Sequence, residues 1–416
     1  MKLLLKSVTI LDEASDYHKQ KLDIFIENGA IKKIGKNLNE KTDREIKIPN
    51  LHVSRGWFDS SVSFGEPGFE DRETIDNGLD TAGKSGFTAV ALNPYTNPVL
   101  DHSGSIAAVK ARANNHPVSL FPIGALTMKS EGVDLAELLD MQQAGAVSFG
   151  DYKLPQRNPN LLKIALQYAQ NFDALIQSFP QENRIAGNGM VNEHENSTSL
   201  GLKGIPNLAE ELQITRDLYL LEYTGGKLHI PTISTEKSVK LIKEAKKKGL
   251  DVSCSVAMHN LILTDEELAT FEANTKVLPP LRTKKDTKAL IKGLKDGTID
   301  MVTSDHNPID VEHKKVEFDN ALYGSIGLET AFGALNNIFD LEEVISFLTK
   351  GKDRFNIEEF EIKEGSPVDL SLFIPGDSCN FSENDILSSS KNSIFLNKEL
   401  KGKPYGIITQ KGFISH

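Results

Sequence analysis

The two ends of the chain alternate apolar with polar residues, a pattern typical of β-strands that have one face in water. Gly, Asn and Asp separate these alternating runs, as turns require. We therefore predict that residues 1–53 and 362–416 together form one small, discontinuous β-sandwich. The predicted strands are 3–11, 21–28, 30–35 and 44–49 near the amino terminus, and 366–375, 392–397 and 405–415 near the carboxyl terminus.

Between these ends, residues 54–361 follow a different rhythm, in which short apolar runs alternate with stretches of helical spacing. Buried strands alternating with helices form parallel sheets, and eight such units predict an α/β protein built as a (β/α)8 barrel. An open, doubly wound sheet is the alternative, but no Gly-rich phosphate turn follows the first strand. The predicted barrel strands are 56–64, 87–94, 118–126, 146–150, 174–179, 227–233, 251–257 and 300–307.

One of the helical stretches carries clear end signals. Thr235 can serve as the N-cap, Glu236 lies in the first turn, and Gly249 is the candidate C-cap. The lysines between them are typical of a solvated helix face.

Composition narrows the possible functions. The net charge of −11 argues against nucleic acid as the main partner, because phosphate binding needs a basic face. The two cysteines, Cys254 and Cys379, lie far apart and exclude a disulfide scaffold or a thiolate zinc site. The first residues lack the features of a signal peptide, and the sequence has no apolar run long enough for a membrane span. We expect a cytoplasmic protein.

A barrel of this kind does its chemistry at the carboxyl ends of its strands, which we call the barrel mouth. Of the ten histidines, we place only His259 and His306 there, together with two aspartates, Asp151 and Asp305. A hydrolase with two metals would need about four histidines and one or two carboxylates. The sequence also lacks HxH and HExxH motifs, so the residues alone give little support for a metal centre.

The same strand ends resemble the dihydroorotases, members of the amidohydrolase superfamily. The segment GWFDSSVSFGEPG at 56–68 is similar to the family's entry strand, roughly GFIDxHVHLREPG. Further similarity runs in order through the whole barrel and into the tail. It covers EDRETIDNG (70–78), GAVSFGD (145–151), AGNGMVNEHE (186–195), VLPPLRTKKD (277–286), LKDGTIDMVTSDHNP (294–308) and GSIGLETAFG (324–333). The resemblance implies the amidohydrolase barrel, zinc chemistry and a link to pyrimidine biosynthesis.

The chain departs from that family where the family does its chemistry. Residues of other types stand where the resemblance implies metal-binding histidines and the groups that grip the substrate. The histidine positions hold Ser61, Ser63, Ser178 and Thr232, and the substrate positions hold Gly65, Tyr95 and Leu278. The resemblance retains Asp305 at the acid/base position, followed by His306, and Asp151 in the segment where a related subgroup carries SDDG.

These losses decide the expected function. Zinc lowers the pKa of bound water from 15.7 to about 7, a change worth on the order of 12 kcal/mol that an ordinary carboxylate cannot supply. Serine and threonine are poor zinc ligands. We therefore expect a metal-free pseudoenzyme with no zinc or other cofactor. Asp305 then lies at the base of the mouth, His259 and His306 are structural, and Asp151 is a hydrogen-bonded loop carboxylate.

Three functions stay open. The first is a scaffold or regulator of an active dihydroorotase or an aspartate transcarbamoylase. The second is a cyclic-amide hydrolase of altered chemistry, metal-free or with one metal on Asp151 and Asp305. The third is a sensor of a pyrimidine-like ligand. The resemblance also implies a homodimer.

Overall fold

The computed structural model describes residues 2–416, so the first residue of the predicted segment 1–53 lies outside it. Eight parallel strands form the barrel sheet in sequence order, and residues beyond its last strand meet the first strand through a parallel bridge between Val62 and His306. The predicted (β/α)8 barrel is confirmed. Its strands are Trp57–Val62, Phe87–Leu92, Ser119–Gly124, Ser148–Phe149, Leu175–Gln177, Lys227–Ile230, Val252–Ala257 and Met301–Thr303. We number them barrel strands 1 to 8.

Helices surround the barrel. The longer ones are Ile75–Lys84, Ser103–Ala113, Leu138–Ala144, Pro159–Ala169, Asn207–Thr224, Glu236–Lys247, Lys284–Lys295 and Leu341–Thr349. The shorter helices are Asn183–Ala186, Glu195–Ser199, Met258–Ile262, Val311–Lys314 and Ala331–Asn336. Among the helices of residues 2–416, none combines the length and the apolar character that a membrane span requires.

The helix Glu236–Lys247 begins and ends close to the predicted positions. The Thr235 side chain accepts a hydrogen bond from the Ser238 backbone N–H, which confirms it as the N-cap. The C-cap is Lys248 rather than Gly249. Gly249 follows directly with a φ of +80°, a conformation that glycine adopts without strain and that ends the helix.

Both termini contribute to a second sheet of eight strands, as predicted. Strand Lys2–Leu11 lies near its centre, pairing antiparallel with Lys21–Glu27 and parallel with Arg44–Ile46 and His52–Arg55. The carboxyl-terminal strands join through Asp369–Asn380, which pairs with His52–Arg55. The remaining strands are Ala30–Gly35, Glu399–Thr409 and Gly412–Ser415.

The predicted strand 392–397 is wrong, because this segment forms turns. Its buried residues have other roles. Asn392 accepts a hydrogen bond from the Ile309 backbone N–H at 3.1 Å and donates to the Asn307 carbonyl at 3.1 Å. Ile394 and Phe395 pack into the core of the barrel. The apolar residues of this segment therefore cover the barrel near its mouth.

Candidate functional site

The two serines of barrel strand 1 lie side by side at the barrel mouth. The Asn93 amide, at the end of barrel strand 2, donates to the Ser61 hydroxyl at 3.1 Å and to the Ser63 hydroxyl at 3.2 Å. All three side chains are buried. One amide therefore connects the two positions where the sequence predicts a lost histidine pair.

A third aspartate, which the sequence reasoning missed, accepts hydrogen bonds beside these serines. Asp59 accepts hydrogen bonds from the Ser61 backbone N–H at 3.0 Å, the Thr303 hydroxyl at 2.5 Å and the Ser304 backbone N–H at 2.8 Å. Burial raises the pKa of Asp59, and these hydrogen bonds oppose the rise. Asp59 thus joins barrel strand 1 to the end of strand 8.

Asp305 forms an ion pair inside the mouth. Its φ is +51°, and its Oδ2 lies 2.8 Å from the Lys153 ammonium, which extends from the loop after barrel strand 4. Burial raises the pKa of Asp305, and the charge of Lys153 opposes that rise. Asp305 Oδ1 is buried without a hydrogen-bond partner in the described chain. Lys153 therefore supplies a positive charge beside the retained aspartate.

Tyrosines fill the space above this ion pair. The Tyr152 and Tyr95 rings lie 5.6 Å apart between centroids, and Lys153 Nζ lies 5.2 Å from the Tyr152 ring. The buried Tyr152 hydroxyl has no hydrogen-bond partner within residues 2–416, although Ser63 approaches it. Burial and the Asp305 carboxylate raise the pKa of the Tyr152 phenol well above its usual value. The predicted site residue Tyr95 thus belongs to an aromatic layer over the mouth.

Asp151 is fully engaged in hydrogen bonds to its neighbours. Its Oδ1 accepts from the backbone N–H groups of Leu126 at 2.9 Å and Thr127 at 3.1 Å. Its Oδ2 accepts from the Thr127 hydroxyl at 2.6 Å and the Gln156 amide at 2.5 Å. Burial raises the pKa of Asp151. Through these four hydrogen bonds Asp151 connects the loops that follow barrel strands 3 and 4.

The other hydroxyl residues at predicted histidine positions are also held by neighbours. The Ser178 hydroxyl donates to Asp217, on the outer helix Asn207–Thr224, at 2.6 Å. Burial raises the pKa of Asp217, while the adjacent Arg216 opposes the rise. Thr232 is buried with a φ of +49°, and its backbone N–H donates to the Ser255 hydroxyl at 3.1 Å. The Ser178 hydroxyl is therefore bound to the outer helix Asn207–Thr224.

The two histidines of the mouth lie in different surroundings. The His306 Nδ1 accepts from the Gly327 backbone N–H at 3.2 Å, so its proton lies on Nε2, 3.5 Å from the buried Glu73 carboxylate. His259 Nε2 is buried without a partner in the described residues. Burial and the charge of Lys153 lower the pKa of His259 to about 3. The low pKa keeps the His259 imidazole neutral at pH 7.

Leu278 and Gly65 occupy the positions where the resemblance implies substrate-binding side chains. Leu278 packs with Phe179 and Ala209 in a small apolar cluster near the mouth. Gly65 has a φ of +92°, and a Cβ there would lie 2.6 Å from the Phe69 carbonyl oxygen. Any side chain at residue 65, an arginine included, would therefore strain this loop.

A second polar cluster, which we call the Arg282 network, joins the loops at the same end of the barrel. The buried Arg282 guanidinium donates to Ser234 at 3.1 Å, Asn192 at 2.9 Å and the Ile205 carbonyl at 2.7 Å. The buried Glu210 accepts from the Ser234 backbone N–H at 2.8 Å. Within the described chain, these side chains leave no buried polar atom unpaired.

The mouth does not fit the two-metal centre that the family resemblance implies. Its strand ends offer hydroxyl groups in place of imidazoles, and the carboxylates Asp151 and Asp305 are committed to neighbours. Residues 2–416 hold no group of three or more His, Cys, Asp or Glu side chains that could bind a metal ion. What the mouth offers is a partly buried ammonium, a carboxylate, a phenol and an imidazole.

Sequence reasoning missed four residues of this site, namely Asp59, Glu73, Tyr152 and Lys153. Lys153 follows Asp151 by two positions in the loop after barrel strand 4, which is a signal that could have identified it. Glu73 approaches His306 only through the fold and carries no such signal.

Comparison with known proteins shows which family of proteins is similar to this chain. A family model described as Dihydro-orotase-like matches residues 52–238. A dihydroorotase from Pelotomaculum thermopropionicum is 38% identical over 415 residues, which cover 98% of this chain and 97% of the relative. A dihydroorotase from a Thermoanaerobacter species is 36% identical over 409 residues, which cover 97% and 94%.

Solved structures share the fold. The L-hydantoinase (dihydropyrimidinase) of Arthrobacter aurescens superimposes with a TM-score of 0.85 at 20% identity, covering 100% of this chain and 96% of that one. The dihydropyrimidinase of Brevibacillus agri gives a TM-score of 0.84 at 19% identity, covering 100% and 95%. These matches extend over the barrel and the terminal sheet together.

Proposed function

This chain belongs to the dihydroorotase family, and we propose that it is a member that has lost metal-dependent catalysis and acts as a scaffold or regulator of a pyrimidine-pathway enzyme. The observation that carries this proposal is the Lys153–Asp305 ion pair. A lysine ammonium next to the retained aspartate disfavours a metal cation at the same place, because like charges repel strongly in a dry site.

The surrounding side chains support the same proposal. Asn93 binds both Ser61 and Ser63, and a substrate-binding arginine in place of Gly65 would strain its loop. Several groups would have to change together to rebuild the family site, including backbone as well as side chains. We infer that the remaining role depends on the outside of the protein, with an active dihydroorotase or an aspartate transcarbamoylase as the partner.

A turnover assay tests the catalytic half of the proposal. The purified chain is supplied with zinc, and the interconversion of dihydroorotate and carbamoyl-aspartate is followed in both directions. The dihydroorotase of Pelotomaculum thermopropionicum serves as the positive control at equal concentration. We expect no rate above the uncatalysed reaction, whereas zinc-dependent turnover would contradict the proposal.

Affinity purification from the chain's own cell tests the scaffold half. The tagged protein is expected to recover an aspartate transcarbamoylase or an active dihydroorotase in stoichiometric amounts. Recovery of neither enzyme would overturn the scaffold role while leaving the loss of catalysis intact.

A ligand sensor is the second candidate, and one observation favours it. Asp305 Oδ1, the Tyr152 hydroxyl and His259 Nε2 are buried polar atoms that lack partners within the described residues. A small polar molecule could satisfy them. Thermal shift with carbamoyl-aspartate, dihydroorotate, orotate and hydantoins tests this, because ligand at ~100 times its Kd adds about 2.7 kcal/mol. A hydrolase using one metal on Asp151 and Asp305 is less favoured, since both carboxylates already have partners.

A further inference from the structure

One buried lysine in the loop that follows barrel strand 8 has no partner of opposite charge. Lys314, at the end of a short helix, is 3% exposed and forms no ion pair with another described residue. The buried cations Arg72 and Lys352 differ from it, because they pair with Asp310 and Asp369. An ammonium without a counter-charge is costly to bury, so a lysine in this situation tends to give up its proton.

The Lys314 amine is held by two backbone carbonyl groups. Its Nζ donates to the Lys276 carbonyl at 3.2 Å and to the Leu322 carbonyl at 2.9 Å. A neutral amine has two N–H bonds and one lone pair, so these contacts use both hydrogens and leave the lone pair free. Burial and the charges of Lys276 and Lys153 lower the pKa of Lys314 to about 7. Desolvation and a neighbouring cation are the conditions that make a lysine nucleophilic.

Lys314 also lines a cavity of about 700 Å³ between its own loop and residues 389–392. Lys315 lines the same cavity but is exposed to solvent. Because Lys314 itself is 3% exposed, only a reagent of a few atoms can reach its amine from the cavity. The site therefore suits a small electrophile.

The surroundings of Lys314 restrict the product that the site can hold. Burial and the charges of Lys276 and Lys153 oppose a positively charged product as they oppose the ammonium. The product must also keep donating to both carbonyls, because a buried acceptor that loses its donor costs free energy. An acetyl amide keeps a single N–H and an imine keeps none. A ureido group is neutral and has enough N–H groups for both carbonyls.

We propose that Lys314 is a carbamoylation site that takes isocyanic acid, the neutral conjugate acid of cyanate. The Lys314 lone pair forms a bond to the carbon of HNCO, and one electron pair of the C=N double bond moves to the isocyanate nitrogen. A proton then passes from the amine to that nitrogen, so no group leaves and no further reagent is needed. The ureido group removes the charge and still donates to the Lys276 and Leu322 carbonyls. This site lies apart from the Lys153–Asp305 pair and does not depend on the proposed function.

Peptide mass spectrometry of the full chain during reaction with potassium cyanate at pH 7 tests the proposal. Lys315 is the internal control, since it is adjacent, exposed and on the same cavity. We expect Lys314 to be carbamoylated at least ~10-fold faster than Lys315, because an ordinary lysine at pH 7 has on the order of one neutral amine in 10³. In guanidinium chloride, where the chain is unfolded, the two lysines should react at equal rates.

A Lys314 rate equal to or below that of Lys315 in the folded chain would overturn the proposal. A preference for Lys314 that persists in the unfolded chain would also overturn it, because the fold would not be its cause. Acetic anhydride tests the choice of electrophile, since it is bulkier and its product leaves one of the two carbonyls without a donor. The preference for Lys314 should be smaller with acetic anhydride, and an equal preference with both reagents would contradict the assignment to isocyanic acid.

Discussion

The Lys153–Asp305 site and the Arg282 network lie at the same end of the barrel and are similarly buried, yet they differ in how their polar atoms are paired. Arg282 and Glu210 bind hydroxyls, an amide and backbone groups until no buried atom is left over. In the mouth, Asp305 and His259 each keep a buried atom without a partner in the described residues.

This difference shows which cluster the fold depends on. A fully paired network stabilises the loops it joins, because removing one member leaves several others desolvated and unpaired. Unpaired buried atoms usually mark a place shaped by chemistry or by a ligand rather than by packing. The mouth therefore has the polar character of a place shaped by chemistry or by a ligand, and Lys153 compensates the charge of Asp305.

Removal of Arg282 should have the largest effect. Arg282→Met would leave Ser234, Asn192 and the Ile205 carbonyl without their donor in a dry environment. We expect a loss of about 3–5 kcal/mol in the free energy of unfolding, measured in urea at pH 7. The same substitution at the exposed Arg184 serves as the control and should cost under about 0.5 kcal/mol. If both variants lost the same free energy of unfolding, Arg282 would contribute no more to stability than an exposed arginine.

Removal of Lys153 should destabilise the protein in a pH-dependent way. Lys153→Met leaves the buried Asp305 carboxylate uncompensated, with an expected loss of about 3 kcal/mol at pH 8. Burial already raises the pKa of Asp305, and losing Lys153 raises it further. The protonated form is then favoured in the folded state, so the loss shrinks as the pH falls and grows as the pH rises through that pKa.

The double variant Lys153→Met/Asp305→Asn provides the control for this prediction. It removes both charges, so most of the stability should return at pH 8. Urea unfolding at pH 5 and pH 8 measures all three proteins. If the Lys153→Met variant lost the same free energy of unfolding at pH 5 and at pH 8, the ion pair would not be what stabilises the mouth.

His259 should make the mouth sensitive to acid. Burial and Lys153 lower its pKa to about 3, so the folded protein disfavours the imidazolium that the unfolded chain forms below pH 6.5. Above pH 6.5 His259 is neutral in both states and costs no stability. Below pH 6.5 the free energy of unfolding falls by about 1.4 kcal/mol per pH unit, down to about pH 3. At pH 5 that amounts to about 2 kcal/mol.

The variant His259→Gln isolates this contribution. The difference in free energy of unfolding between variant and unmodified protein should shift in favour of the variant as the pH falls from 7 to 5. Gln143→Asn, at an exposed helix position without a titratable group, should show no such trend. A difference that is constant with pH would mean that His259 accepts a proton while the protein is folded.

The smallest expected difference in stability is between alanine substitutions at two glycines, Gly65 in the mouth loop and Gly201. Gly65→Ala places a Cβ 2.6 Å from the Phe69 carbonyl at a φ of +92°, with an expected cost of about 2 kcal/mol or more. Gly201 has a φ of +71° but open space around it, so Gly201→Ala should cost about 1 kcal/mol. Thermal unfolding of the two variants checks the order. The reverse order would indicate that the loop can move to accept a side chain.

The sequence predicted the barrel well because buried parallel strands leave a strong local signal. Each of the eight apolar runs contains an observed strand, from Trp57–Val62 to Met301–Thr303. The segment 392–397 was predicted wrongly because its apolar residues pack against the barrel rather than in a sheet. Local alternation shows that residues are buried, but it does not identify the element that buries them.

The site was predictable only in part. Positions at strand ends, such as Ser61 and Asp305, follow from the barrel topology. Contacts that join distant loops do not, which is why the Lys153–Asp305 pair and the approach of Glu73 to His306 were missed. A short-range sequence pattern does not predict which loops come into contact across the mouth.

Zinc binding tests the central claim most directly. The full chain is dialysed to equilibrium against zinc at neutral pH, and the bound metal is measured per chain beside the Asp305→Asn variant. We predict substoichiometric zinc that is the same in both proteins, because Lys153 already neutralises Asp305. One or two zinc ions per chain that disappear with Asp305→Asn would contradict the account and restore a metal centre to the mouth.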